Sequence, residues 1–164
     1  MARARTLSVQ LISEQSGWGR LVLAGCLDEH AKEVLEAIIP KAPAKLIIDF
    51  GGVEQLNSSG IRDWSLFIKK LKANRIMVIE NCPEEVVRAI NMVPYFAAGI
   101  PIKSVHRTYA CEGCKGQQVE TFTLGRDYNA GELPQIPKKT CKKCGTEVEP
   151  AEPDDEFFIF LTAP

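Results

Sequence analysis

Four of the six cysteines in this 164-residue chain fall into two C-x-x-C pairs, Cys111-Glu-Gly-Cys114 and Cys141-Lys-Lys-Cys144, with 26 residues between them. Four thiolates at such spacing match a tetrahedral zinc ribbon, although the gap is longer than the commonest one. Gly113 inside the first pair and Gly145 after the second supply small residues where backbone N–H groups can approach sulfur. Four protein ligands would close the coordination sphere and leave no position for a catalytic water, so the expected metal is structural Zn²⁺. Iron bound by four thiolates is the alternative metal chemistry. Two disulfides fit poorly, because nothing directs the chain to an oxidising compartment. A thioredoxin-like redox pair fits poorly too, because neither C-x-x-C opens a helix after a strand. The two remaining cysteines, Cys26 and Cys82, lie in apolar surroundings and read as core thiols.

The second group of residues with chemical potential is Asn57-Ser58-Ser59-Gly60, between an apolar strand and a helical stripe. Unpaired N–H groups and the dipole at a helix start favour a capping oxygen or an anion there. A serine at that position tolerates a phosphate. Catalysis has less to stand on. The two histidines, His30 and His106, have no nucleophile and orienting acid near them in sequence, Glu84-Glu85 read as first-turn helix charges, and no G-x-x-x-x-G-K-[ST] loop occurs. No catalytic residue is assigned, and a non-enzyme is expected.

The elements that must carry these groups follow from periodicity. Residues 7–12 alternate, and residues 20–24 form a second run after the turn Ser16-Gly17-Trp18-Gly19, which predicts a hairpin. Ala31, Val34, Leu35, Ile38 and Ile39 keep the spacing of one buried helix face, which Pro40 and Pro43 end. Residues 46–50 are nearly all apolar, as for a central strand covered on both faces. Ile61, Trp64, Phe67, Ile68 and Leu71 mark a second helix, residues 75–80 another strand, and Pro83 opens a third helix through Ile90. A last strand is expected over 102–109. The pattern predicts an α/β fold, a mixed sheet packed with helices and joined by right-handed crossovers.

Beyond Tyr109 the periodicity fades into Gly, Pro, Lys and Cys, so the expected division is 1–109 for the α/β domain and 110–164 for a small zinc-ribbon-like module with a tail. Residues 118–124 read as a ribbon strand and 126–139 as an irregular loop. Phe157-Phe-Ile-Phe-Leu161 is too short for a bilayer and too apolar to float, so it is expected to add a strand or dock back on the first domain, with a partner-binding tail as the alternative.

Two stretches, in order, resemble a known family. Leu23-Ala-Gly-Cys-Leu-Asp28 followed by Ala31 is similar to the Gly-x-Leu-Asp-x-x-x-Ala pattern of STAS domains, the family named for sulfate transporters and anti-sigma factor antagonists. Residues 46–60 resemble that family's strand, loop and Asp-Ser-Ser-Gly or Asp-Ser-Thr-Gly phosphorylation motif. The resemblance covers about three fifths of the chain. In the bacterial antagonists of the family, an anti-sigma factor that is also a kinase phosphorylates the serine after the motif aspartate, which by position is Ser58 here. The resemblance thus implies a partner switch with Asp28, Asn57, Ser58, Ser59 and Gly60 on the binding surface. The partner would be an anti-sigma factor or a related kinase. One departure stands out: Asn57 occupies the place of the aspartate, which keeps the capping oxygen and removes the charge.

Composition is consistent with that reading. With 20 basic against 21 acidic residues and a formal charge of -1, no global field recruits nucleic acid. No apolar run approaches the roughly 18 residues of a membrane span, and residues 1–5 have a basic start without the apolar stretch of a signal peptide, so a cytoplasmic location is expected. The competing reading makes the ribbon an adaptor for nucleic acid or a larger complex through Lys138, Lys139, Lys142 and Lys143, with the acidic stretch 147–156 offsetting them. A small-ligand sensor is a third reading.

Overall fold

The computed structural model describes residues 6–162, and the basic opening residues 1–5 lie outside them. Strand β1 (Ser8–Ser13) turns through a left-handed Gly17 into β2 (Gly19–Leu27). Helix α1 (Ala31–Glu36) crosses to β3 (Lys45–Leu56), and α2 (Ser58–Leu71) crosses to β4 (Ile76–Glu80). The sheet order is β1-β2-β3-β4, antiparallel at the hairpin and parallel thereafter. This is the mixed α/β sheet that the alternation of strand and helix patterns implies. Helix α3 (Glu84–Met92) follows, opened by Pro83. The first helix is shorter than its stripe: after Glu36 the chain tightens into a single 3-10 turn, Ile39–Lys41, because Pro40 cannot donate to a continuing α-helix.

The period-2 pattern assigns one face of the sheet to the helices. Leu21, Leu23, Leu46, Ile48 and Phe50 are fully buried there against Leu35, Trp64, Phe67, Ile68, Val86 and Val87. Trp64 sits edge-on to Phe50 with centroids 5.0 Å apart, and its Nε1 donates to the Phe96 carbonyl at 2.9 Å, so the large ring buries no unpaired donor.

The opposite face of the strand expected to be covered on both sides carries charge. Asp49 accepts hydrogen bonds there from Arg20 (3.0 Å) and Asn81 (2.9 Å), while Glu80 accepts from Arg20 (2.9 Å) and Lys103 (2.8 Å). Burial pushes the Glu80 carboxyl up, but the hydrogen bonds from Lys103 and Arg20 outweigh it and hold the group below its ordinary value. A mostly apolar run thus hides one charge, because neighbouring strands supply its counter-charge.

Strand β3 also runs through Gly51-Gly52 without breaking. A Cβ at Gly52 would lie 2.7 Å from Ala24 Cβ and 2.9 Å from the Leu23 carbonyl oxygen. The β2–β3 register shifts between Val22 and Ala24, so the glycine sits where a bulge brings the two backbones together.

A second sheet of order β6-β5-β8-β7 contains β5 (Ser104–Ala110), β6 (Gln117–Thr123), β7 (Lys139–Thr140) and β8 (Glu147–Pro150). The strand expected over 102–109 serves both sheets. Ile79 N donates to Pro101 O (2.9 Å), Lys103 N to Ile79 O (2.7 Å), Cys82 N to Ser104 O (3.1 Å) and His106 N to Cys82 O (2.7 Å), along the edge of β4. The same stretch then pairs antiparallel with β6 from Ser104 to Ala110. One continuous buried cluster runs from Leu7 to Phe158 across both sheets.

The apolar tail docks back as a short helix rather than as a strand. Helix α4 (Asp154–Phe157) and a 3-10 turn at Ile159–Leu161 place Phe157 and Phe158 in the core, with Phe158 5.6 Å from the Phe122 ring. Arg107, 1% exposed, anchors this segment: its guanidinium lies 4.8 Å from the Phe157 ring centroid and bonds Asp154 and the Glu152 carbonyl. Asn91 of α3 donates to the Glu156 and Phe157 carbonyls at 3.2 and 3.1 Å. Removing one partner of a buried pair costs about 3–5 kcal/mol, and because Asp154 is 40% exposed, part of that is screened. Asp154→Ala is therefore expected to lower stability by about 2 kcal/mol. Urea unfolding checks this, alongside limited proteolysis, in which cleavage after residue 150 should accelerate. An unchanged midpoint with unchanged cleavage would show that the pair does not hold the tail.

Candidate functional site

Parallel pairing brings the ends of β2 and β3 level, with Leu27 opposite Leu56, so the loops that follow them leave the sheet side by side. Asp28 and Glu29 come from one loop and Asn57 from the other. Asn57 N donates to the Leu27 carbonyl at 3.1 Å, tying the loops at the backbone. The next contact is closer still. A Cβ on Gly60 would fall 1.9 Å from the Leu27 carbonyl oxygen, so α2 can begin here only with glycine at its third position.

Asn57 caps the 14-residue helix α2 from extended geometry (φ -122°, ψ 172°), its Oδ1 accepting from Gly60 N at 2.9 Å. With Oδ1 fixed as acceptor, the amide Nδ2 must face the other way, and it donates to Glu29 Oε2 at 2.8 Å. That hydrogen bond holds the exposed Glu29 carboxyl below its ordinary range. Asp28 is turned to a different task. Its Oδ1 accepts from His30 N at 2.9 Å and shapes the entry to α1.

The structure thus gathers Asp28, Asn57, Ser58, Ser59 and Gly60 at one end of the sheet, in different environments. Asn57 and Ser58 are exposed, Asp28 and Ser59 half-buried, and Gly60 buried against β2. Ser58 is the first residue of α2, where the N–H groups and the dipole favour an anion. Glu29 is the member that sequence reasoning missed, because its relation to Asn57 spans two loops and leaves no local pattern. A groove of about 570 Å³ beside Ser58, lined by α2 and by Met92, Val93 and Tyr95, was equally invisible in the sequence.

The four cysteines form the second group. Their sulfurs all lie within 4.8 Å of one another, with Cys111 and Cys144 at 3.4 Å and Cys114 and Cys141 at 3.7 Å. A tetrahedron of sulfurs about 2.3 Å from a zinc ion has edges of about 3.8 Å, so the donor set fits that ion. The two knuckles repeat one backbone scheme: Cys111 N donates to Gly116 O (2.9 Å) and Cys141 N to Thr146 O (2.7 Å). The residue after each second cysteine is left-handed, Lys115 at φ 56° and Gly145 at φ 75°. The counterpart of Gly145 is therefore Lys115. Gly113 is small for another reason, since its Cβ would stand 2.5 Å from Thr146 Oγ1.

The sulfurs do not share one acidity. Hydrogen bonds to the Thr146 side chain and backbone bring the Cys144 thiol down to about 6. A hydrogen bond to the Cys114 backbone also pulls Cys111 down, but burial and the neighbouring sulfurs outweigh it and push that thiol up to about 11. Four facing thiols cannot all ionise unaided, and a divalent cation would remove that conflict. The other two cysteines are core residues, Cys26 at 4% and Cys82 at 0% exposure, and burial pushes the Cys82 thiol well up.

No family model and no curated protein matches the sequence. Among solved structures, the chain is similar in fold to an anti-sigma factor antagonist from Mycobacterium paratuberculosis. There the TM-score is 0.49 and the identity 18%, over 59% of this chain and 85% of that one. It is also similar to the anti-sigma factor antagonist SpoIIAA in its unphosphorylated form. In that case the TM-score is 0.44 and the identity 23%, over 54% of this chain and 83% of that one. Both are likenesses of chain path at low identity and say nothing of the residues at the site.

Because Asn57 donates to Glu29, replacing it by aspartate exchanges an attraction for a repulsion. The lowered Glu29 value means that this contact stabilises the fold above the ordinary glutamate range and is lost as pH falls through the depressed value. In Asn57→Asp the Glu29 pKa is expected to rise above its wild-type value, as read by carboxyl-resolved NMR titration. An unmoved Glu29 titration would show that the two loops are not coupled through this pair.

Proposed function

We propose that the chain is a non-enzymatic regulatory protein that binds a protein partner at the end of the sheet where β2 and β3 meet α2, and that phosphorylation of Ser58 releases the partner. The observation that carries this reading is the placement of Ser58: exposed, first in a capped helix, and flanked by the two loops that Asn57 joins. A phosphate there adds about -1.5 to -2 charges. At a helix N-terminus that charge is locally favourable, so the helix should survive modification. The effect then falls on whatever touches this surface. The family resemblance of residues 23–31 and 46–60 supplies the partner class, an anti-sigma factor or related kinase. Among the described residues no helix is long and apolar enough to cross a membrane.

In the same reading Cys111, Cys114, Cys141 and Cys144 hold a structural Zn²⁺ that closes residues 110–164 into a ribbon-like module behind a binding domain of residues 1–109. The ion would supply cross-linking and no reaction, since four thiolates fill its coordination sphere. A cytoplasmic location suits these thiols and this partner class. The alternative, a ribbon that binds nucleic acid, is disfavoured by the lysines themselves. Lys142 pairs with Glu120 at 2.6 Å and Lys138 with Glu147 at 2.7 Å, so two of the four cations are neutralised within the ribbon.

Two experiments test the proposal. A pull-down from the host with wild-type, Ser58→Ala and Ser58→Asp baits, quantified by mass spectrometry, is expected to recover an anti-sigma-type kinase on the first two and at least tenfold less on the third. Equal recovery on all three would end the switch. Elemental analysis of freshly purified protein is expected to give about one zinc per chain, and a strong chelator should melt the second sheet, seen as loss of near-ultraviolet dichroism from Tyr109 and Tyr128. Metal-free protein with that dichroism intact would remove zinc from the account.

A further inference from the structure

Helix α2 also carries apolar side chains away from the core. Trp64, Phe67, Ile68 and Leu71 face the core, yet Leu66 is 54% exposed on the other side, and across the groove stand Met92 at 79% and Tyr95 at 72%. Large apolar side chains gathered on a concave surface mark an interaction site more often than scattered ones do. The rim of this groove carries charge of one sign. Arg62 and Lys69 lie two turns apart on α2, and both line it. Other cations nearby are spoken for: Lys70 pairs with Glu36 at 2.9 Å, and Lys72 donates to the Ala98 carbonyl. Arg62 meets a carboxylate only at Nε, 3.5 Å from Asp63, and Lys69 has no carboxylate within ion-pair distance among the described residues.

We infer that this groove receives an acidic amphipathic helix of the protein partner, with an apolar side chain seated among Leu66, Met92 and Tyr95 and carboxylates two turns apart facing Arg62 and Lys69. The inference rests on the reading above that this face binds a protein, and it names the chemistry of the bound segment. Spacing supports a helix: the lining residues of α2 recur at Ser58, Ile61, Arg62, Ser65, Leu66 and Lys69, the stripe that a second helix packs along. Charge supports an acidic one, since a basic segment would meet two cations on the rim. Ser58 begins the same row, one turn before Arg62. A phosphate on Ser58 can pair with that guanidinium across the turn and compete directly with the incoming carboxylate.

A displayed random library of 16-residue peptides, selected on the full-length chain, tests this. Enriched sequences are expected to be net acidic with apolar residues at i, i+4 and i+7. A synthetic representative should lose at least tenfold in affinity, by fluorescence anisotropy, to Met92→Asp and to the double variant Arg62→Glu/Lys69→Glu. All three side chains are exposed, and unchanged thermal melts would show that the variants fold. Net neutral or basic winners, no enrichment, or binding indifferent to these variants would overturn the inference. Sedimentation showing a dimer that Met92→Asp dissociates would also overturn it, by giving the groove to a second copy of the chain. Ser58→Asp separates the two proposals: if it leaves peptide affinity unchanged while the groove variants abolish it, the groove stands and the phosphate switch falls.

Discussion

The approach of α2 to the end of β2 governs the geometry of the end of the sheet that carries Asn57 and Ser58. With no room for a Cβ at Gly60 against the Leu27 carbonyl, the helix start is pressed onto the neighbouring strand rather than held off by side chains. Several features follow from that contact. Asn57 N reaches the Leu27 carbonyl, its side chain comes within reach of Glu29, and Ser58 is left outermost because the residues after it turn inward. A larger residue at position 60 would collide with the Leu27 carbonyl and force α2 and the end of β2 apart. A surface built this way has little freedom to rearrange, so under the proposed switch a phosphate would act through charge more than through shape.

The second sheet and its tail are held together differently. Two of its four strands are short, and its apolar residues are few apart from those lent by β5 and the docked tail. Segments of this size need a staple, and the four sulfurs within 4.8 Å of one another are placed to hold one. The residues leading into β5 continue along the edge of β4, which is how one buried cluster comes to span both sheets. Arg107 extends the connection to the tail by stacking on Phe157 while bonding Asp154. The sulfur cluster and the surface around Ser58 therefore belong to one packed body.

What the sequence shows of this design and what it hides have a common physical origin. Periodicity reports which residues share a face, so the stripe Ile61, Trp64, Phe67, Ile68, Leu71 and the strand from Leu46 to Phe50 could be read directly. It does not report what covers the other face, and so the pairing of Asp49 could not be read, its partners Arg20 and Asn81 lying far off in the chain. Fixed local spacing made the cysteine pairs legible, whereas the left-handed turn at Lys115 did not show, because lysine carries no mark of that conformation. The aromatic tail was legible as buried but not as helical, since five residues fall short of two helical turns and show no repeat. Glu29 and the groove at Met92 and Tyr95 exist only once the chain is folded.

Asn57 shows the same limit at a single residue. By sequence it is a loss, a neutral amide where the resembled motif has a carboxylate. In the folded protein the amide does what a carboxylate cannot, capping α2 with its oxygen while donating from its nitrogen to Glu29. An aspartate would cap equally well but would set two negative charges in contact across the loops. The negative charge is therefore not absent from the surface beside Ser58. It is carried by Glu29, one hydrogen bond away, and held ionised by the residue that replaced it. Any partner or kinase that reads a carboxylate beside this serine would meet it on the neighbouring loop, with its position set by the Asn57 amide.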